Sequence, residues 1–116
     1  EMINWSIEEQ YYYIHEAGGY VVHAHPFRSR AYIKEIRLFP EFVDAVEAFN
    51  EGNGSKDMDR KALAYAKKHN LPALAGTDAH GFEQGYNGMG FIKPLSSIHD
   101  FISCVKSGNY KLYTDI

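Results

Sequence analysis

Apolar positions in this chain recur with a helical period in three places and in short continuous runs between them. The first periodic segment predicts a helix from about Ser6 to Ala17. Ser6 and Glu9 have the spacing of a capping box, in which each side chain serves the other's free backbone N–H, and Gly18 permits the left-handed turn that ends a helix. Tyr20 to Ala24 is short, apolar and partly β-branched, so it predicts a strand, stopped by Pro26. Ser29 to Leu38 reads as a basic helix ended by Pro40. Phe42 to Glu47 reads as a second strand. Asp57 to His69 is a second clear helix, with Met58, Ala62, Leu63 and Ala66 on its apolar face. Its acids lie in the first turn and its lysines in the last, as the helix dipole prefers; Asn70 suits the left-handed position after it. Leu71 to Gly76 reads as a third strand.

A long Gly-rich loop, Thr77 to Gly90, follows, with Phe91-Ile92 as a short strand. The last helix starts at Ser97, with Asp100 as its capping partner and Ile98, Phe101, Ile102 and Val105 as its apolar face. Gly108 ends it, and Tyr110 to Tyr113 reads as a final strand. Helices alternating with short apolar strands predict an α/β fold with parallel strands and right-handed crossovers. A closed eight-stranded barrel needs about twice this length. A small open sheet and part of a barrel both remain, in one domain spanning residues 1–116.

Composition narrows the classes. The 116 residues are 45% hydrophobic and 23% charged, as in an ordinary globular chain. No apolar run is long enough for a membrane helix, and no basic-then-apolar leader is visible. The net charge of −3 argues against a non-specific nucleic-acid binder. Cys104 is the single cysteine, so no internal disulfide forms, and a cytoplasmic setting is the expectation. There is no G-x-x-x-x-G-K-[ST] loop, no G-x-G-x-x-G after a strand and no G-x-S-x-G elbow, so ATP binding, dinucleotide chemistry and serine hydrolysis lose support.

The chemistry-bearing residues fall at one structural place. His25 lies just past the first strand, Glu47 ends the second, and Asp78 and His80 follow the third. In parallel α/β folds these strand ends share one rim, where sites form. His23 and His25 are an H-x-H pair whose side chains share one face of an extended segment. They are either two metal ligands or one packed histidine and one functional one, and His25 is favoured as the functional member. Asp78-Ala-His80 has the same spacing with mixed donors, suited to zinc, manganese or iron, although Gly76-Thr77-Asp78 is also good turn sequence. Asn50 is placed to bind substrate or to form a turn. Arg28 and Arg30 suit a phosphate or form a solvated basic loop.

Three stretches together resemble one family. Gly18-Gly-Tyr-Val-Val-His-Ala-His-Pro-Phe-Arg28, Asp44-Ala-Val-Glu-Ala-Phe-Asn50 and Leu74-Ala-Gly-Thr-Asp-Ala-His-Gly81 are similar, in order and spacing, to motifs of the polymerase and histidinol phosphatase (PHP) family, with Thr77 where Ser is commoner. The resemblance implies the C-terminal half of a distorted seven-stranded TIM-like (β/α) barrel that hydrolyses phosphate esters with up to three metal ions. It implies that His25 and His80 share a metal and that Asp78 ligates another, with His23, Glu47 and Asn50 nearby as outer contacts and Arg28 toward the substrate phosphate.

The family's upstream H-x-H motif is absent here, and Glu1 reads as a cut end. The ligand set for zinc, manganese or iron is therefore incomplete, and little or no catalysis is expected from this chain alone. A small phosphomonoester or nucleotide is the expected substrate. Pairing with the missing N-terminal half, or with a second copy, is the expected assembly. The reading from another class is a non-catalytic α/β module that binds a partner or a structural metal.

Overall fold

A computed structural model describes residues 5–31, 33, 35–80 and 85–114. Three helices and five strands follow one another as α1 (Ile7–Glu16), β1 (Val22–His23), β2 (Ala45–Asn50), α2 (Lys56–Lys68), β3 (Ala73–Gly76), β4 (Gly88–Gly90), α3 (Ile98–Ser107) and β5 (Lys111–Tyr113). Short 3-10 turns lie at Pro40–Phe42 and Glu51–Asn53. Strands β1, β2 and β3 form a parallel sheet in that order. The α/β class with parallel strands is thus observed, with one helix, α2, in the crossover from β2 to β3.

The helix signals act locally. Glu9 N–H donates to Ser6 Oγ (3.1 Å) and Ser6 N–H to Glu9 Oε1 (3.0 Å), which closes the expected capping box of α1. Ser97 Oγ accepts the Asp100 N–H (3.2 Å), but the Asp100 carboxylate takes the N–H of Ser96 instead of that of Ser97 (2.9 Å). Asn70 and Gly108 both have positive φ, 55° and 76°, and end α2 and α3 as left-handed residues do.

The centre of the sheet contains an irregularity that the alternation pattern does not reveal. Glu47 pairs with Leu74, yet Phe49 pairs with Ala75, so Ala48 is an extra residue in β2. A bulge of this kind shifts the side-chain alternation by one. Val46, Ala48 and Phe49 all pack with Ala62, Tyr65 and Ala66 of α2. Ala45 and Leu74 instead share a second cluster with Val105 of α3. The sheet therefore has helices on both faces, and β2 is buried almost throughout.

Four expectations are corrected. No helix forms among the described residues of 29–38; residues 32 and 34 lie outside them. A helix of this length depends on burying an apolar face, and Ile36 and Leu38 remain exposed. Arg30 is drawn instead to the carbonyls of Gly52 and Asn53. The second strand begins at Ala45, because Pro40–Phe42 turns and Phe42 packs against Tyr11 and Tyr12. Glu47 consequently sits inside the strand and Asn50 ends it. The short strand after the Gly-rich loop is Gly88–Gly90 in place of Phe91-Ile92, and it pairs with β5 antiparallel. Hydrophobic period carries no information on strand direction. No helix among the described residues is long and apolar enough to cross a membrane.

Deleting Ala48 would restore a regular ladder, keep Glu47 and Asn50 on one face and take one buried side chain from beneath α2. The deletion variant is expected to keep a cooperative thermal transition at a lowered midpoint, as followed by circular dichroism.

Candidate functional site

The bulge at Ala48 gives the rim its geometry. In a regular strand, residues three apart point to opposite faces. Here Glu47 and Asn50 share one face, and Asn50 Nδ2 donates to Glu47 Oε1 at 2.8 Å. The same Oε1 accepts the backbone N–H of His25 at 3.0 Å, which ties the end of β1 to β2. Gly76 lies across from the other oxygen: a Cβ there would be 3.1 Å from Glu47 Oε2. A side chain at position 76 would crowd the carboxylate that the strand ends share.

Arg28 joins all three strand ends. It is 9% exposed. Its Nε donates to Asn53 Oδ1 (3.0 Å) and its Nη2 to Asn50 Oδ1 (2.8 Å), and Nη2 lies 2.8 Å from Asp78 Oδ2. Asn50 Oδ1 also accepts the Gly52 N–H at 2.8 Å. The Gly52 backbone passes so close that a Cβ would lie 2.9 Å from Arg28 Nη2 and 3.0 Å from Asp78 Oδ2. Behind this layer, Asp59 Oδ1 accepts from Asn53 Nδ2 (2.7 Å) and from the Asn50 N–H (3.3 Å).

Neither Asn53 nor Asp59 is among the site residues that the sequence predicts; Asp59 reads there only as an acid in the first turn of α2. The signal for Asp59 was available: it shares the buried face of α2 with Ala62 and Ala66, where a carboxylate must have partners. Asn53 carried no such signal, because an Asn in an N-x-x-N loop is most simply a turn residue.

Two backbone positions are unusual. His25 has φ 27° and Asp78 φ 56°. Side chains other than glycine adopt this region rarely, and such positions concentrate at functional sites. Here both follow directly after a parallel strand, on the same rim.

The sequence-predicted residues divide by environment. His23 is packed: its ring stacks on Phe39 (centroids 4.8 Å apart, planes at 17°) and meets the Tyr65 ring edge-on. Burial, aided by the neighbouring His25, pushes its pKa below the ordinary histidine value. Of the pair His23-Ala-His25, His23 is the packed member. Both rings also border a cleft of about 670 Å³, lined further by Trp5, Arg37 and Phe39. The Arg28 guanidinium is not a solvated basic group, since its Nε and Nη2 are engaged inside the rim.

Asp78 presents a carboxylate held below the usual carboxylate range. The hydrogen bond from Arg28 is the main cause, and the charges of Arg28, His80 and His25 add to it against a desolvation cost. The His80 side chain is 79% exposed. Its Nδ1 lies 2.7 Å from the Asp78 carbonyl oxygen, which leaves Nε2 directed away from that contact. Gly81, the last residue of the third motif, lies outside the described residues.

The donor set suits a divalent metal in its chemistry: imidazoles from His25 and His80, and carboxylate oxygens from Asp78 and Glu47. Glu47 Oε2 faces the space that a side chain at Gly76 would fill. Among the described residues, however, no three His, Cys, Asp or Glu side chains converge as ligands of one ion. The rim as it stands brings together His25, Arg28, Glu47, Asn50 and Asp78, and leaves His80 at its outer edge.

Part of this rim is similar to known proteins. Residues 59–84 match the family described as PHP-associated. The match takes in α2 from Asp59 onward, β3 and the turn bearing Asp78 and His80. An uncharacterized protein of Methanocaldococcus jannaschii is 36% identical over 74 residues, covering 58% of this chain and 31% of the relative. The chain thus spans under a third of the length of that relative. No solved structure gives a significant match.

Arg28→Ala would strand Asn53 Oδ1 and Asp78 without their cation. Removing one member of such a buried set costs roughly 3 kcal/mol, and urea denaturation is expected to show a loss of that size. Asp78 gives a pH signature. Its carboxyl titrates below its unfolded value, so its stabilising effect is complete above about pH 4 and is lost as the pH falls through the lowered pKa. Acid unfolding of Asp78→Asn is expected to be flatter over that window than that of the wild type.

Proposed function

We propose that this chain, whose residues 59–84 are PHP-associated, supplies part of a metal-dependent phosphoesterase site. In this reading His25, Asp78 and His80 hold divalent metal, of zinc, manganese or iron type, in the full-length parent. Glu47 and Asn50 orient the ligand-bearing strand ends, and His23 packs behind His25. The substrate is a phosphate ester, either a small phosphomonoester or a nucleotide. When bound, the metal would neutralise phosphate charge and lower the pKa of a coordinated water.

The observation that carries this reading is the convergence of β1, β2 and β3 on one rim. Two left-handed non-glycine residues, His25 and Asp78, stand there on either side of the Glu47 carboxylate. Arg28 is better suited to hold Asp78 and Asn50 than to swing toward a phosphate, because its Nε and Nη2 donate inside the rim. This revises the role the resemblance implied for it. A phosphate would then be met by the metal and by groups on the cleft side of His25.

The ligand set in these residues is incomplete, so further donors come from elsewhere in the parent protein or from a second copy. The half-barrel arrangement belongs to the same reading: strand β1 is the edge of the three-stranded sheet, and an added strand there would continue it. The chain alone is expected to catalyse little, and a cytoplasmic setting fits its single cysteine.

A second reading has an observation of its own. A rim knitted by Arg28, Asn50, Asn53 and Asp59 is also what a non-catalytic α/β module would use to fix its strand ends. Metal content separates the two. Elemental analysis of the full-length protein after metal loading and desalting is expected to find zinc, manganese or iron in the wild type. A His25→Ala, His80→Ala double variant should lose it, with its far-UV circular dichroism unchanged. Equal metal content in both would overturn the assignment of His25 and His80 and favour the non-catalytic module.

A further inference from the structure

We infer that Glu51 is a positioning residue, whose carboxylate fixes the loop carrying Asp78 and His80 by gripping that loop's far end. The inference rests on the proposed role of Asp78 and His80, and its main readout is independent of metal.

The His80 ring is largely exposed, so side-chain packing does little to place it. Its Nδ1 lies 2.7 Å from the backbone carbonyl of Asp78, so the ring is tied to the backbone of its own loop. Asp78 itself holds a left-handed conformation that the surroundings must maintain. Two ties do this. Asn87 Nδ2 donates to the Gly76 carbonyl at 3.1 Å, joining the last residue of β3 to the residue just before β4. Glu51 Oε1 then accepts two successive backbone N–H groups, that of Tyr86 at 2.6 Å and that of Asn87.

Successive N–H groups aimed at one point form an anion-binding concavity, and here the anion is a side chain from the turn after β2. A charged acceptor makes such bonds stronger than a neutral one. The loop ends are also in close steric contact. A Cβ at Gly85 would be 2.1 Å from Thr77 Cγ2 and 3.3 Å from Glu51 Oε1. Thr77 directly precedes Asp78, so the Glu51 end of the loop presses on the residue that launches the Asp78 turn.

The test is amide hydrogen exchange by NMR in the full chain, read at Asp78, Ala79 and His80, for wild type, Glu51→Ala and Glu51→Gln. Glu51→Ala is expected to speed exchange at these three amides by about tenfold or more, while amides of α2 and β2 keep their protection. Glu51→Gln retains an acceptor oxygen without the charge, and is expected to recover most of the protection. Cobalt(II) titration adds a second readout: Glu51→Ala is expected to bind about tenfold more weakly, the scale typical of groups that orient metal ligands.

Unchanged exchange at residues 78–80 in Glu51→Ala would overturn the inference. So would loss of protection throughout the chain that Glu51→Gln does not restore, since that marks a general structural role. If Glu51→Ala does not fold, Glu51→Ser, whose side chain is polar but too short to reach the two amides, decides: exchange at 78–80 identical to wild type overturns the proposal, and a rise confined to 78–80 supports it. Absence of cobalt binding by the full-length wild-type protein would defeat the metal reading, while the exchange data would still judge Glu51.

Discussion

A buried guanidinium must find acceptors for its donors, and Arg28, just past β1, finds them at the ends of β2 and β3. That requirement organises the rim. Asn50 ends β2, Asn53 lies in the following turn and Asp78 follows β3, and each turns an oxygen toward Arg28. Asp59 then becomes necessary in its turn, because Asn53 uses its carbonyl oxygen for Arg28 and needs an acceptor for its amide. Gly52 is forced to be small by the same crowding. Charges so placed are costly to desolvate and stabilise only when their partners are complete. The arrangement therefore specifies one geometry of the strand ends more than it adds to stability.

The bulge at Ala48 is the backbone counterpart of that requirement. Were Ala48 paired as in a regular strand, Glu47 and Asn50 would lie on opposite faces, and the carboxylate that receives the His25 N–H would have no link to Arg28. The bulge satisfies both sides of the sheet at once. It lets Ala48 and Phe49 both enter the core beneath α2 while Glu47 and Asn50 stay on the rim. Bulges are rare in parallel pairs and recur beside functional sites. Its place between two polar residues of the rim fits that pattern.

Local signals in the sequence were reliable, and non-local ones were not. The capping box at Ser6, the left-handed residues Asn70 and Gly108 and the apolar stripe of α2 depend on neighbours a turn away, and each was legible. The helix expected over 29–38 was not, because its basic, periodic sequence finds no apolar surface to cover and Arg30 bonds to a turn twenty residues on. The direction of β5 and the start of β2 were equally invisible, since alternation does not say which neighbour a strand will choose. At the rim, the residues following strands could be identified by position: His25, Asp78 and His80 all flank strand ends. What could not be read was which of them the fold draws inward. Arg28 was expected to face a phosphate, and packing made it the most internal group of the set.

This division bears on how the rim could work. His25 and Asp78 are held from behind, by the Glu47 carboxylate on the His25 backbone and by Arg28 on the Asp78 side chain. Both therefore have restricted positions before any ligand arrives. His80, largely exposed, meets the Asp78 carbonyl within the loop that carries it. In the proposed metal-binding reading, His25 and Asp78 form an inner pair held from behind, and His80 stands at the outer edge of the rim. Binding that requires all three must either wait for the loop or find it already fixed. The Glu51 carboxylate on the Tyr86 and Asn87 amides is the feature that makes the second case physically available, since it fixes the loop end without occupying any donor of the rim.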